Sequence, residues 1–428
     1  MNLENIKKAH FIGIGGIGVS AIARMFLDRG VEVSGSDADE SEITRKLSSM
    51  GARISHEHKA ENIVNDVDLA VYTVAIDKNN PELLKAKELE IETKTYSQML
   101  GIISDGYYTV AVAGTHGKTT TTAMIAKVAV DAKLSPTVIV GSLLKDSGSN
   151  LITGKSNLFI VEACEYKRSF LDLNPNILVI TNIEEDHLDY YKDLTDIQSA
   201  FRELVSKLGP DDFVVCNPND PKVASVLKDA VCNVVDYTLS GKVPKLRVFG
   251  EYNKQNANAA FAVAEILKVE EEKALKALSE FEGVWRRFEY KGQMENGAQV
   301  YDDYAHHPTE ICATLRAARN KFTEKRIVTV FQPHLYSRTK LLLDDLAKSF
   351  KDSNIVILAP IYAAREDNDP SINSGILADA INKNSSNAQA FNDFNKINQY
   401  IKENIQKDDI IITMGAGDVF EIGESLVK

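Results

Sequence analysis

Seven consecutive residues, Gly114-Thr115-His116-Gly117-Lys118-Thr119-Thr120, constrain this chain more than any others. They follow an apolar β-type run, Tyr107-Tyr108-Thr109-Val110-Ala111-Val112-Ala113, and precede a Thr- and Ala-rich helical stretch that extends to about Ala132. A strand, a Gly-rich turn and a helix N-terminus in that order make an anion seat. Backbone N–H groups and the helix dipole point at phosphate, a lysine adds a point charge, and a threonine hydroxyl suits Mg²⁺. The usual loop has four residues between its first Gly and the Gly-Lys pair. Here Val112 fills that first position, and Gly114 opens a tighter turn. A plain Gly-rich turn is the bland alternative, and the strand–helix context argues against it. ATP or GTP, bound with Mg²⁺, is the expected ligand.

A second loop of this kind lies near the start. His10-Phe11-Ile12 leads into Gly13-Ile14-Gly15-Gly16-Ile17-Gly18, a helical pattern runs to Gly30, and the run Val31–Ser36 delivers Asp37. Gly-x-Gly-x-x-Gly between strand and helix, with an acidic residue about 20 positions on, is what a dinucleotide fold requires. Alone it points to an NAD-dependent dehydrogenase. Any diphosphate ligand can use the same helix N-terminus, however, and close strand–helix packing without a ligand would look alike. With two loops, a sugar-nucleotide diphosphate fits the first and ATP the second.

The length of 428 residues calls for two to three domains. With 26% charged and 44% hydrophobic residues the composition is that of a soluble globular protein. A net charge of −12 argues against a broad nucleic-acid or anionic-membrane surface. The four cysteines (Cys164, Cys216, Cys232, Cys312) have no paired spacing, so reduced thiols are expected rather than zinc. The apolar stretch from His10 to Leu27 is interrupted by four glycines and Arg24, which makes it a poor signal sequence. No transmembrane run is visible, and a cytoplasmic location is expected. Alternating patterns predict α/β architecture, with mainly parallel sheets covered by helices. Expected strands include 159–161, 177–180, 326–331, 354–358 and 410–413, and residues 340–350 read as one helix.

Two strands of the middle region deliver chemistry to their carboxyl ends, where ligands collect in open α/β sheets. Phe159-Ile160-Val161 delivers Glu162, and Ile177–Thr181 delivers Asn182, Glu184, Glu185, Asp186 and His187. Glu and His both serve Mg²⁺ or Mn²⁺ when phosphate oxygens complete the shell. A lone histidine after a strand is usually only hydrogen-bonded; beside a phosphate loop and Glu162, the ligand reading of His187 is the stronger.

The strings GTHGKTT, Glu162 and TNIEEDHLDYY resemble the Mur ligases, the ATP-dependent amide-forming enzymes of peptidoglycan synthesis. HFIGIGGIGVSAIA, SGSD, VEACEYKRSFL, GVWRRFE, DDYAHHPTEI and VFQPHLYSRT extend the resemblance over essentially the whole chain. It implies three α/β domains: a Rossmann-like UDP-sugar domain (1–104), a central P-loop ATP-binding domain (105–286) and a Rossmann-like amino-acid domain (287–428). It also implies joining L-alanine to the lactyl carboxylate of UDP-N-acetylmuramate through an acyl phosphate. Addition of a preformed peptide, glycine or serine stays open.

Residue by residue, the resemblance gives Gly114, Thr115, His116, Gly117, Lys118, Thr119 and Thr120 to ATP, with Lys118 on the β- and γ-phosphates. Thr119 and Glu162 would hold one Mg²⁺, and His187 a second. Asn253 and Asn256 resemble adenine-side asparagines; Arg287 and Asp303 would reach ATP from the junction with the last domain. Gly15, Gly16, Ile17, Gly18 and Asp37 would face UDP, with Glu165 and Arg168 toward the muramoyl end. Tyr304, His306 and Arg338 would form the amino-acid end. Lys118, His187, His306 and Arg338 are thus the implied catalytic set. His306 is a candidate base, its ordinary pKa being near neutrality, although a helix-cap role would explain the His306-His307-Pro308 run equally well. Arg338 could equally be a surface ion pair. Tyr252 stands where the family often has histidine, and Leu335 replaces a second arginine near Arg338. Keeping an acyl phosphate from water predicts a mobile last domain hinged near Gly283–Glu289. Monomer and homodimer are both open.

Overall fold

The computed structural model describes residues 1, 3–73, 75–145, 147–188, 190–239, 241–364, 366–384 and 387–427; Asp189, part of the TNIEEDHLDYY string, falls outside them. Among the described residues the chain divides into two compact units. The first comprises Met1–Pro244 with Asn256–Leu278, and the second Lys245–Gln255 with Ser279–Lys428.

The first unit holds two sheets. One is all parallel, in the order Arg53–Ser55, Glu32–Ser36, Lys8–Ile12, Leu69–Tyr72, Glu92–Thr95. The other runs Asn233–Asp236, Phe213–Cys216, Ile177–Ile180, Tyr108–Ala113, Leu158–Glu162, Thr137–Leu144, Ser149–Ile152. Only its last pair is antiparallel. Its central strands are continuous Val/Ile/Ala runs because both faces are covered, as parallel sheets require: Val110–Ala113 and Ile177–Ile180 are fully buried. Tyr108–Ala113 sits between Ile177–Ile180 and Leu158–Glu162. Three neighbouring carboxyl ends therefore bring Gly114, Glu162 and Thr181-Asn182 side by side.

One apolar core runs through both sheets of this unit, including Phe11, Phe26, Met99, Phe159, Phe170 and Phe201. Polar contacts stitch the seam. Asn150 Nδ2 donates to the Ile17 carbonyl and, at 3.1 Å, to Ser20 Oγ. Arg24 Nη1 reaches Ser149 Oγ at 2.9 Å. The helix Tyr96–Ser104 lies on the 3₁₀ segment Tyr166–Asp172, where Gly101 allows the Asp172 carbonyl to approach its backbone closely.

The second unit contains a six-stranded sheet ordered Glu289–Gln293, Gln299–Asp303, Ile410–Met414, Ile327–Phe331, Ile355–Leu358, Asn387–Ala390. Its first pair is an antiparallel hairpin and the rest is parallel. Most expected strands lie within a residue or two of the predicted bounds. The predicted helix over 340–350 is a correction: two short helices, Tyr336–Leu341 and Leu343–Lys348, meet at Leu342, whose backbone (φ −102°, ψ 17°) is not helical.

Candidate active site

The phosphate-type loop is shaped by the neighbouring strand end. His116 N donates to Asn182 Oδ1 at 2.9 Å, Asn182 Nδ2 returns a bond to the His116 carbonyl at 3.0 Å, and Thr181 Oγ1 donates to the same carbonyl at 2.6 Å. Gly117 is the N-cap of the helix Lys118–Asp131 and lies in the left-handed region at φ 83°. A Cβ there would fall 2.5 Å from Asn256 Oδ1, so both backbone and space demand glycine.

Lys118 Nζ donates to the Gly114 and Thr115 carbonyls at 2.6 and 3.0 Å and pairs with Glu165 at 2.9 Å. Burial works against its charge, but the adjacent Glu165, with Cys164 and Glu162 behind it, holds its pKa above the ordinary lysine value. Next along, Thr119 Oγ1 donates to Glu162 Oε1 at 3.1 Å, and Gly141 N donates to Glu162 Oε2 at 2.9 Å. A hydroxyl and a carboxylate oxygen so placed beside a phosphate loop fit a hard cation such as Mg²⁺. Thr120 follows in the first helical turn, buried.

His187, at φ 54°, places Nε2 3.7 Å from Glu165 Oε1 and 3.8 Å from Asp186 Oδ2. Ligand atoms of these three residues lie within 4.8 Å of one another, a second donor set that a divalent cation could share. Glu165 is itself fixed by Tyr191, whose hydroxyl donates to its backbone carbonyl at 2.5 Å. Sequence reasoning assigned Glu165 to the sugar end; the structure joins it to Lys118 and His187. Arg168 is turned onto the helix Leu194–Val205, bonded to Asp196 and Ser199 at 2.8 and 2.9 Å and to Glu203 at 3.2 Å.

At the first glycine loop, Gly15 N donates to Asp37 Oδ2 at 2.8 Å, and Gly16 is the extended N-cap of the helix Ile17–Asp28. The Ser36 carbonyl accepts from Gly13 N and Ile14 N at 2.8 and 3.0 Å, which ties the loop to the neighbouring strand. Gly18 faces Tyr96 so closely that a Cβ would lie 2.6 Å from the ring.

The second unit gathers another group. Asp303, 4% exposed, accepts from Phe288 N at 2.7 Å, Ala305 N at 2.8 Å and Thr314 Oγ1 at 3.3 Å. Burial pushes its carboxyl up to about 6 despite the opposing Arg287. Arg287 lies 5.2 Å over the Tyr304 ring and 4.0 Å from Glu310. His306 Nδ1 is 3.1 Å from the Tyr304 carbonyl. A carbonyl only accepts, so Nδ1 carries the proton in neutral His306 and Nε2 is the basic nitrogen. The helix-cap role belongs to His307, the N-cap of Pro308–Lys321 in a capping box with Glu310.

His334 stacks on Tyr362 and lies 5.8 Å, ring to ring, from His306. Arg338 follows one turn later on Tyr336–Leu341, half-buried. Leu335 is buried with φ 65°. Asn253 Nδ2 donates to the Phe249 carbonyl at 2.6 Å.

Arg286 escaped sequence reasoning. It is 3% exposed, and its guanidinium bonds Asp302 at 2.9 Å and the Gly417 and Gly415 carbonyls at 2.8 and 2.5 Å. The doubled arginine in GVWRRFE was the available signal; of its partners, Asp302 lies 16 residues on, whereas the two carbonyls lie about 130 residues away and left none.

A phosphate loop backed by acidic and histidine donors, on a chain with three mainly parallel sheets, defines a class. The chain belongs to the Mur ligase family: residues 8–108 match the model of the Mur ligase family catalytic domain, 112–263 the Mur ligase middle domain, and 286–417 the Mur ligase glutamate ligase domain. Within the family its relatives include the UDP-N-acetylmuramate–L-alanine ligase of Clostridium novyi, 42% identical over 99% of this chain and 98% of that protein. The enzyme of the same name from Acetivibrio thermocellus is 44% identical over 99% of this chain and 96% of its own. The crystal structure of UDP-N-acetylmuramate-alanine ligase MurC from Thermotoga maritima matches with a TM-score of 0.83 at 30% identity, covering 98% of both chains. A murein peptide ligase from Psychrobacter arcticus, at 23% identity and a TM-score of 0.75, shares the fold.

Proposed function

We propose that this chain is an ATP-dependent ligase that joins L-alanine to the lactyl carboxylate of UDP-N-acetylmuramate, releasing ADP and phosphate for peptidoglycan precursor synthesis in the cytoplasm. The observation that carries it is the cluster at the middle sheet: Lys118 paired with Glu165, Thr119 with Glu162, and His187 alongside, in a chain similar over its full length to enzymes of that name.

A carboxylate does not accept an amine at neutral pH, because oxide would have to leave. Transfer of the γ-phosphoryl group makes phosphate the leaving group, and the alanine amine then attacks through a tetrahedral oxyanion. Phosphoryl transfer needs positioning and charge neutralisation more than covalent help. Lys118 supplies a cation that stays charged. Thr119 and Glu162 would hold one Mg²⁺ or Mn²⁺, and His187 with Glu165 and Asp186 a second; such ions let two anions approach. In the second unit Tyr304, His306 and Arg338 would receive the amino acid, with His306 Nε2 taking a proton from its ammonium group. Asn253, Asn256, Arg287 and Asp303 are assigned to the ATP side, and Gly15, Gly16, Ile17, Gly18 and Asp37 to UDP. The working division of the chain is 1–104, 105–286 and 287–428.

Phosphate release with ATP, Mg²⁺ and UDP-N-acetylmuramate, scanned across L-alanine, L-serine, glycine and a preformed tripeptide, tests this reading. L-alanine should give the highest turnover. Release independent of any amino acid, or a preference for the tripeptide, overturns it. The scan also addresses Leu335, an apolar side chain where the family places a second arginine.

A further inference from the structure

Tyr96 is the first residue past the carboxyl end of the strand Glu92–Thr95 and opens the helix Tyr96–Ser104. Its backbone is fixed by a capping box, in which Thr95 Oγ1 accepts from Gln98 N at 3.2 Å and Gln98 Oε1 accepts from Thr95 N at 2.9 Å. Its ring is fixed by Gly18, whose missing side chain leaves the socket the ring fills. The helix it opens is docked on Tyr166–Asp172, the segment that continues directly from Glu162, Cys164 and Glu165. Gly141, which donates to Glu162, sits on the strand Thr137–Leu144, and that strand packs against the helix containing Gly18. Tyr96 thus stands between the first glycine loop and the carboxylate of the phosphate site.

Two further observations bear on its hydroxyl. Ring and backbone are both held, and the residue is only partly buried, which leaves the hydroxyl accessible to a ligand. Glu162 and Cys164 lie close enough to interact with it, and a tyrosine phenol carries its proton near neutral pH and can donate a hydrogen bond. A held donor beside a diphosphate-type loop and near the phosphate site is placed to meet an anionic group of a ligand that spans the two.

We propose that the Tyr96 hydroxyl contacts substrate, donating a hydrogen bond to the acid-bearing arm of the UDP-linked sugar as that arm runs from the Gly15–Gly18 loop toward Glu162. This rests on the function proposed above and adds a residue that selects and aligns the acid for phosphoryl transfer. The test is Tyr96→Phe, which keeps the ring in the Gly18 socket and removes only the donor. Its kcat/KM for UDP-N-acetylmuramate should fall about tenfold, the scale of one hydrogen bond to a charged group. KM for ATP and for L-alanine, and the Tm, should stay at wild-type values. Tyr96→Ala removes the packing as well and should lower Tm in addition. Wild-type kcat/KM in the Phe variant overturns the proposal, as does an equal loss toward all three substrates, which would mark a purely structural role. A wild-type chain that turns over no UDP-N-acetylmuramate instead sinks the proposed function, and this inference with it.

Discussion

Lys118 is surrounded by carbonyl oxygens and Glu165, a setting that suits it to neutralise incoming phosphate oxygens. Lys118→Ala should lower kcat by at least about a hundredfold, with little change in Tm, measured by phosphate release and thermal melting. Asp303 yields a pH prediction. Its folded-state pKa of about 6 lies above the ordinary 3.8, so between those values the native state holds a proton that the unfolded chain has released. The stability it contributes is present below about pH 4 and is lost as pH rises through 6, by roughly 3 kcal/mol at most. Urea midpoints from pH 4 to 7 should show this decline in the wild type, and Asp303→Asn should flatten it. The candidate site residues most legible from sequence were those whose meaning is local. Lys118 and Thr119 follow a glycine turn, and Glu162 and His187 follow apolar strands. Arg286 was not legible, because what makes it necessary is Asp302 and two distant carbonyls.

Elements were legible where burial is uniform and obscure where geometry decides. The strands 177–180 and 410–413 are apolar runs that burial on both faces makes unambiguous. The break at Leu342 is invisible in composition, since Lys340–Phe350 reads as a continuous helical pattern. The hairpin Glu289–Gln293/Gln299–Asp303 did carry a signal, the turn dipeptide Asn296-Gly297 with Gly297 at φ 93°, which the alternating βα pattern around it masks. At the N-terminus of Lys118–Asp131 the backbone itself limits substitution. Gly117→Ala has to adopt φ 83° and displace Asn256, and should cost about 1–2 kcal/mol in urea unfolding as well as weakening ATP binding by calorimetry. Unchanged affinity and stability would contradict the close approach described.

At the scale of the whole chain, the first two sheets form one compact unit with a common core, whereas composition alone allowed two or three independent domains. The association of Lys245–Gln255 with the second unit had no sequence signal, because it depends on Phe249 packing beside Phe288 and Lys321. The seam in the first unit is polar and buried at Asn150, which serves the Ile17 carbonyl and Ser20. Asn150→Leu leaves those groups without their donor, and should cost about 1–3 kcal/mol by urea denaturation. Hydrogen exchange should then show protection falling in Lys8–Ile12 and Tyr108–Ala113 together; loss in one sheet alone would mean that the seam does not couple them.

Arg286 is held by contacts that span most of the sequence of the second unit. Its acceptors on Gly415 and Gly417 leave the ribosome about 130 residues after it, so during synthesis a guanidinium destined for the interior waits for that later stretch to be made. A nascent chain cut short before residue 415 would keep that charge without its carbonyls, and should remain open to proteases. Chains that include Gly415 and Gly417 should, by contrast, resist limited proteolysis around Arg286.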